Sequence, residues 1–162
     1  MLVPEPAQWN PLLLAGIVLL FPIVWGFMMN VIGRLAGWAR LAEDYRSDSE
    51  LPRTRLRMRS VLMRGWAHYG NCVTFAVDHR GLHMASFGAL LGHPRLLIPW
   101  ADVTVTPKKV WWASCSEFRF RRAPQIPVVV SARLADQLSS AAGTSAPAKL
   151  QHASVAARAA SA

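Results

Sequence analysis

The spacing of apolar residues divides the chain into four parts. Residues 11–33 form an unbroken apolar run, and residues 37–48 place apolar side chains at helical spacing. From about residue 53 the apolar positions alternate with a period of two, whereas residues 143–162 are rich in alanine and serine. These patterns predict a membrane-length helix, a juxtamembrane amphipathic helix over 34–50, a β domain over 51–142 and a disordered tail.

The apolar run predicts a transmembrane helix. No charged residue stands between Glu5 and Arg34, and a helix of about 20 apolar residues crosses a bilayer core. A cleaved signal peptide would need a basic start and a shorter apolar core. A buried helix of a soluble protein is seldom apolar on every side over this length in so small a chain.

The flanking charges predict the orientation of this helix. Before it stands Glu5, and after it come Arg34, Arg40 and Arg46. Because Lys and Arg close to a span stay on the cytoplasmic side, we expect a single-pass protein of the inner (cell) membrane. Its short N-terminus, residues 1–10, would lie outside, and the remainder would be cytoplasmic.

The residues after the span predict a second helix with one apolar face. Trp38, Leu41, Ala42 and Tyr45 follow the spacing of such a face, and we expect Trp38 in the interfacial aromatic belt. The G-x-x-x-G spacing of residues 33–37 stands at the membrane edge and contains an arginine. We interpret it as chance rather than as a helix-dimerisation face.

The β domain is predicted to contain six or seven short antiparallel strands and a C-terminal helix. Residues 71–87 indicate two strands around a turn, residues 108–122 a hairpin and residues 126–130 a last strand. Pro99 in the run 95–105 indicates an edge strand or a bulge. Ser131 is a candidate N-cap for the helix over 131–141, where Leu134 and Leu138 lie one turn apart.

Two short motifs in this region resemble the pleckstrin-homology-like superfold, in particular its GRAM and bacterial membrane-tethered variants. They are Gly81-Leu82 at the entry to a strand and Ile98-Pro99-Trp100 followed by Asp102. The resemblance covers residues 53–141. It implies a curved, partly open barrel plugged by the last helix, and a role in binding lipid headgroups, peptides or proteins without catalysis.

Four arginines at alternate positions are the candidate contact with anionic lipid: Arg53, Arg55, Arg57 and Arg59. In a β-strand all four would leave one face, whereas a helix would divide them between two faces. One interpretation is a solvated edge strand that blocks intermolecular pairing. Another is docking on the inner leaflet, where each basic residue contributes about 1 kcal/mol. Nucleic-acid binding is disfavoured because no recognised motif accompanies the arginines.

The predicted hairpin carries the candidate contacts with a protein partner. Adjacent tryptophans and flanking cations make up this set: Trp111, Trp112, Lys108, Lys109, Arg119 and Arg121. In a strand one tryptophan faces the core and the other faces outward. The outward indole either contacts a partner or packs under a neighbouring element.

No pattern in the chain predicts catalysis, a metal site or a cofactor. His79 and His83 have the spacing of helical metal ligands, but they flank a turn into a strand. Cys72 and Cys115 are far apart and fit a reducing compartment, and no catalytic motif accompanies them. The formal net charge of +9 favours polyanionic neighbours.

We therefore expect a non-enzymatic, membrane-anchored binding module that engages a protein partner, the anionic inner leaflet or both. The alternative is an accessory subunit of a membrane complex, in which the transmembrane helix is the main interaction element.

Overall fold

The computed structural model describes residues 10–86, 93–110 and 112–143. Two helices precede the sheet: α1 spans Pro11–Ala36 and α2 spans Trp38–Tyr45. The predicted extracytoplasmic segment, apart from Asn10, and the predicted disordered tail, apart from Gly143, lie outside the described residues.

Seven strands and a third helix follow, in agreement with the predicted number of strands. The strands are β1 Arg55–Met63, β2 Ala67–Val77, β3 Gly81–Ser86, β4 Leu96–Pro99, β5 Val103–Val110, β6 Ala113–Phe120 and β7 Ala123–Ser131. A short 3₁₀ helix, Trp100–Asp102, joins β4 to β5, and α3 spans Ala132–Ala142.

All seven strands pair antiparallel in one open sheet of order β4-β3-β2-β1-β7-β6-β5. Pro99 ends the edge strand β4, as its missing N–H predicts. The hairpin predicted over 108–122 corresponds to β5 and β6, with the side chains of Phe118 and Phe120 buried. Ser131 caps α3 by accepting a hydrogen bond from the backbone N–H of Leu134 at 3.3 Å, and Leu134 and Leu138 are buried.

The helices α2 and α3 share one hydrophobic core with the sheet. From α2 it includes Trp38, Leu41 and Tyr45, and from α3 it includes Leu134 and Leu138. The helical face predicted for α2 is therefore confirmed, but the position of Trp38 is not as expected. Its side chain is fully buried in the protein rather than placed in a membrane interface, because α2, which directly follows α1, packs on the sheet.

The helix α1 is long and apolar enough to cross a membrane. Its candidate span, Leu14–Ala36, has a mean hydropathy of 2.1. The described side chains from Leu14 to Trp25 are all exposed, so this part of α1 has no packing partner among the described residues of the chain.

The α1 helix ends at Ala36, and the next residue, Gly37, has a φ of +98°, in the left-handed region that favours glycine. A Cβ at this position would lie 2.9 Å from Cδ1 of Ile126 on β7. Gly65 in the turn between β1 and β2 also has a positive φ, +79°, but no atom lies within 4 Å of the position of its missing Cβ. The two glycines therefore form a matched pair that differs in packing.

We predict that Gly37→Ala lowers the free energy of unfolding by about 2–4 kcal/mol, from left-handed strain and overpacking against Ile126. Gly65→Ala should lower it by about 1 kcal/mol, from strain alone. Urea unfolding of the full chain in detergent, followed by tryptophan fluorescence, measures both. Equal losses would show that the junction at Gly37 does not pack on Ile126 of β7 as described.

Candidate binding surfaces

The C-terminal end of α1 is packed against the β domain. A Cβ added to Gly33 would lie 2.6 Å from Cε1 of His93, so a larger residue would displace the buried imidazole. Ala36 has no exposed surface, and Gly37 lies against Ile126. The two glycines of the G-x-x-x-G spacing thus contact the domain of their own chain, which gives the spacing a packing role that we did not predict.

An aromatic cluster surrounds His93 at this junction. The ring centroids of Trp38 and Tyr69 lie 5.5 Å and 5.8 Å from that of the imidazole. The Trp38 indole N–H donates to the carbonyl oxygen of Pro94 at 3.0 Å, and the Tyr69 hydroxyl lies 3.3 Å from His93 Nε2. Burial raises the pKa of Tyr69 to about 12, so its hydroxyl stays protonated at neutral pH.

The turn between β1 and β2 lies at the same end of the domain. A guanidinium N–H of Arg64 donates to the carbonyl oxygen of Leu35 at 3.2 Å, and Trp66 is 59% exposed. Arg64 therefore contacts the last turn of α1, and the exposed Trp66 lies in the same turn of the chain as Arg64. The sequence predicted neither residue as a contact, because only the tertiary fold brings this turn to the helix.

The four alternating arginines do not form a single row. The strand is confirmed, but Arg53 precedes β1, and Arg55 and Arg57 are exposed on it. Met58 then adopts a φ of +55°, and the pairing with β2 shifts between Leu56 and Arg59. An extra residue in a strand reverses which side chains face inward. Arg59 therefore pairs with the buried Val73 and is itself half-buried. The prediction that all four arginines leave one face of a strand is wrong.

The first arginines also lie far from the junction with α1. Arg55 and Met63 are the two ends of β1, and eight residue steps of extended strand cover about 26 Å. Met63 is the residue next to Arg64, which contacts α1. Arg55 and Arg57 reach a membrane that holds α1 only if β1 lies along its surface. Contact of these side chains with lipid remains a prediction.

Most of the predicted partner-contacting cations in the β5–β6 region form ion pairs within the chain. Glu117, 4% exposed, lies between Lys108 and Arg119, with 2.6 Å from its Oε1 to Arg119 Nε. Burial alone would raise the pKa of Glu117, but hydrogen bonds from Lys108 and Arg119 outweigh it and lower that pKa. Arg121 Nη2 lies 2.7 Å from Asp102 Oδ1.

The ion-paired cations are themselves exposed, at 46% for Lys108, 56% for Arg119 and 72% for Arg121. Lys109 is exposed and forms no ion pair within the described residues. Trp112, in the turn between β5 and β6, is 88% exposed, so it does not pack under a neighbouring element. Trp111 lies outside the described residues.

Asp102, one of the residues that carried the resemblance, ties α2 to the turn between β6 and β7. It is 2% exposed, and its Oδ2 lies 3.2 Å from Arg122 Nε and accepts from the Tyr45 hydroxyl at 3.2 Å. The Tyr45 oxygen in turn accepts from the backbone N–H of Arg122 at 3.0 Å. Burial raises the pKa of Tyr45. The carboxylate thus has a structural role.

The other residues that carry the resemblance, Gly81 and Trp100 among them, hold β3 and β4 and their connecting segments together. The Trp100 indole N–H donates to the carbonyl oxygen of Asp78 at 2.8 Å. A Cβ at Gly81 would lie 2.1 Å from the carbonyl oxygen of Ile98, so these two backbones meet only at a glycine. Both motifs therefore have a packing explanation in this chain.

The two histidines that have metal-ligand spacing in the sequence lie in different environments. His79 is exposed in a turn, whereas His83 is buried, with Nε2 3.0 Å from Asp78 Oδ2. No group of three metal-ligating side chains occurs in residues 10–86, 93–110 and 112–143. Cys72 and Cys115 are both free, and burial raises their thiol pKa values, which lowers the thiolate fraction.

Asp78 gives this region a measurable pH dependence. Burial alone would raise its pKa, but hydrogen bonds from His83, Arg80 and the backbone N–H of Gly81 lower it to about 2. The pKa of an unfolded aspartate is about 3.9. The stabilisation is therefore complete above about pH 4 and is lost as the pH falls through about 2.

We predict that Asp78→Asn lowers the free energy of unfolding by about 2 kcal/mol at pH 6, and that this difference shrinks between about pH 4 and pH 2. Urea unfolding of both proteins across this range measures it. Asp48→Asn serves as the control, because Asp48 is 92% exposed and should contribute little at any pH. A difference that stays constant with pH would contradict the assignment.

Comparison with known proteins found no matching family model, no matching curated protein and no matching solved structure. The contacts described above therefore carry the functional inference that follows.

Proposed function

We propose that this chain is a single-pass protein of the inner membrane whose cytoplasmic β domain is a non-enzymatic binding module held at the membrane surface. The observation that carries the proposal is the structure of α1. Its N-terminal two-thirds expose apolar side chains, while its last turn packs through Gly33 and Ala36 on the domain. A helix of this kind anchors the domain and also orients it.

The charges near the junction support the cytoplasmic orientation. Arg34 lies in the last turn of α1, and Arg64 contacts the carbonyl oxygen of Leu35. Cations at this position favour the side of the membrane that has anionic lipid. Trp66, exposed beside them, suits the interfacial layer, where indoles are enriched. In this proposal Arg64 and Trp66 lie closer to the membrane surface than Arg53, Arg55 and Arg57 do.

The face proposed for a protein partner is the turn between β5 and β6. Trp112 and Lys109 are exposed there, whereas the charges of Lys108, Arg119 and Arg121 are paired with those of Glu117 and Asp102. An exposed tryptophan is a frequent centre of protein–protein contacts. In this assignment Trp112 and Lys109 are the central contacts of the predicted set, whose other described members are exposed but ion-paired.

The alternative, an accessory subunit that acts through α1, is favoured by the exposed apolar surface of the same helix. Replacing residues 11–29 by an unrelated spanning helix separates the two proposals, with Gly33 retained because it packs on His93. Complex formation that survives the replacement supports the binding module. Loss of complex formation, with membrane insertion intact, supports the accessory subunit.

Membrane anchoring is tested with the double variant Leu19→Lys and Ile23→Lys. Both side chains are about 70% exposed, at 71% and 68%, so the variant leaves the domain core untouched. Each lysine near the centre of a span opposes insertion by about 2.5–3.5 kcal/mol. We predict that the wild type and a Leu19→Ala, Ile23→Ala control sediment with membranes after alkaline extraction, whereas the lysine variant is soluble.

Orientation is read with a compartment-sensitive reporter fused after Ala162 of the same proteins. A cytoplasmic signal from the wild type is expected. An extracytoplasmic signal, or retention of the lysine variant in the membrane fraction, would overturn the proposal.

A further inference from the structure

A cleft of about 410 Å³ lies between β1, β7 and the first turn of α3. Its size is typical of small-ligand sites. The residues that line it include Arg59, His68 and Arg133, and none of those identified is an aspartate or glutamate. The cleft therefore carries positive charge without the acidic partners that neutralise the cations of the β5–β6 hairpin.

Two facing bulges place Arg59 in this cleft. Met58 on β1 and Asn71 on β2 are non-glycine residues with φ of +55° and +48°. Ser60 connects the two strands there, because its hydroxyl donates to Asn71 Oδ1 at 2.9 Å and accepts from the Asn71 backbone N–H at 3.0 Å. Strained backbone and bulges of this kind re-aim side chains and are enriched at functional sites.

The guanidinium of Arg59 has a donor that is unsatisfied within the described residues. Its Nε is buried and has no hydrogen-bond acceptor among the described residues. A buried cationic donor without an acceptor is costly, and an anion in the cleft would supply one. Arg133 enters the cleft from the first turn of α3, so the two guanidinium groups approach it from different elements.

We propose that this cleft binds a small phosphate monoester through Arg59 and Arg133. Two arginines balance the charge of about −1.5 to −2 that a phosphate monoester carries at pH 7, and guanidinium pairs with phosphate bidentately. Ser131 and Gln137 add neutral polar groups. The volume exceeds that of phosphate alone, and apolar lining residues are available for the organic part of the ligand: Val61, Val129 and Leu134. The site does not depend on membrane attachment.

Isothermal titration calorimetry with phenyl phosphate, on the full chain in detergent at constant ionic strength, tests the proposal. Arg59→Gln and Arg133→Gln should each weaken binding at least about tenfold, the usual effect of losing a hydrogen bond to a charged group. Arg55→Gln is the matched control, because Arg55 is an exposed arginine of the same strand that does not line the cleft. It should bind as the wild type does.

Absence of phenyl phosphate binding to the wild type would overturn the proposal. Equal weakening by Arg55→Gln would also overturn it, since it would indicate attraction to net charge alone. Arg133 is exposed, so its variant keeps the test valid even if Arg59→Gln fails to fold.

A short-chain phosphatidic acid, titrated below its micelle concentration, distinguishes a lipid headgroup from a soluble phosphate ester as the ligand. Tighter binding than that of phenyl phosphate indicates a lipid headgroup, and weaker binding indicates a soluble phosphate ester.

Discussion

The close approach of Gly33 to the imidazole of His93 is the contact on which the arrangement of the chain depends. It allows the last turn of α1 to lie on the domain, and it places Trp38 in the core beside Tyr69. Without this contact the helix would be a tether, and the domain would sample many orientations. With it, the direction of α1 relative to the sheet is fixed, and in the proposed membrane protein this direction determines which end of the sheet faces the lipid.

The distribution of charge follows a second physical constraint. A basic chain of this size would repel itself if its cations clustered without partners. Two buried carboxylates, Glu117 and Asp102, each hold two cations at one end of the sheet. The positive charge that stays available is therefore local. Among the described residues it includes Arg64 beside α1, Arg55 at the start of β1, Lys109 near the end of β5 and Arg59 in the cleft.

The elements could be predicted from the sequence because their signals are local. The period of two located the strands, and the cap at Ser131 with Leu134 and Leu138 located α3. The length of the apolar run likewise predicted the helix α1. These signals depend on residues within a few positions of one another, and burial of the strand-facing side chains reinforces them.

The sites could be predicted only in part, because tertiary contacts decide them. The alternation of arginines predicted one face, but the bulge at Met58 turned Arg59 to the other side. Nothing near Trp38 in the sequence indicates that His93 lies beside it. The pairing of Lys108 and Arg119 with one glutamate depends on the register between β5 and β6. The amino-acid composition counts these charges but does not show that the fold pairs them.

The central claim, that α1 holds the domain in one orientation, is tested most directly by a distance distribution across the junction. Spin labels at Val31→Cys on the exposed side of α1 and His79→Cys in the turn between β2 and β3 would be measured by double electron–electron resonance. The protein would be held in lipid nanodiscs, with Cys72 and Cys115 replaced by serine. A single narrow distribution is the result that the account predicts. A broad distribution would show a flexible tether and contradict it.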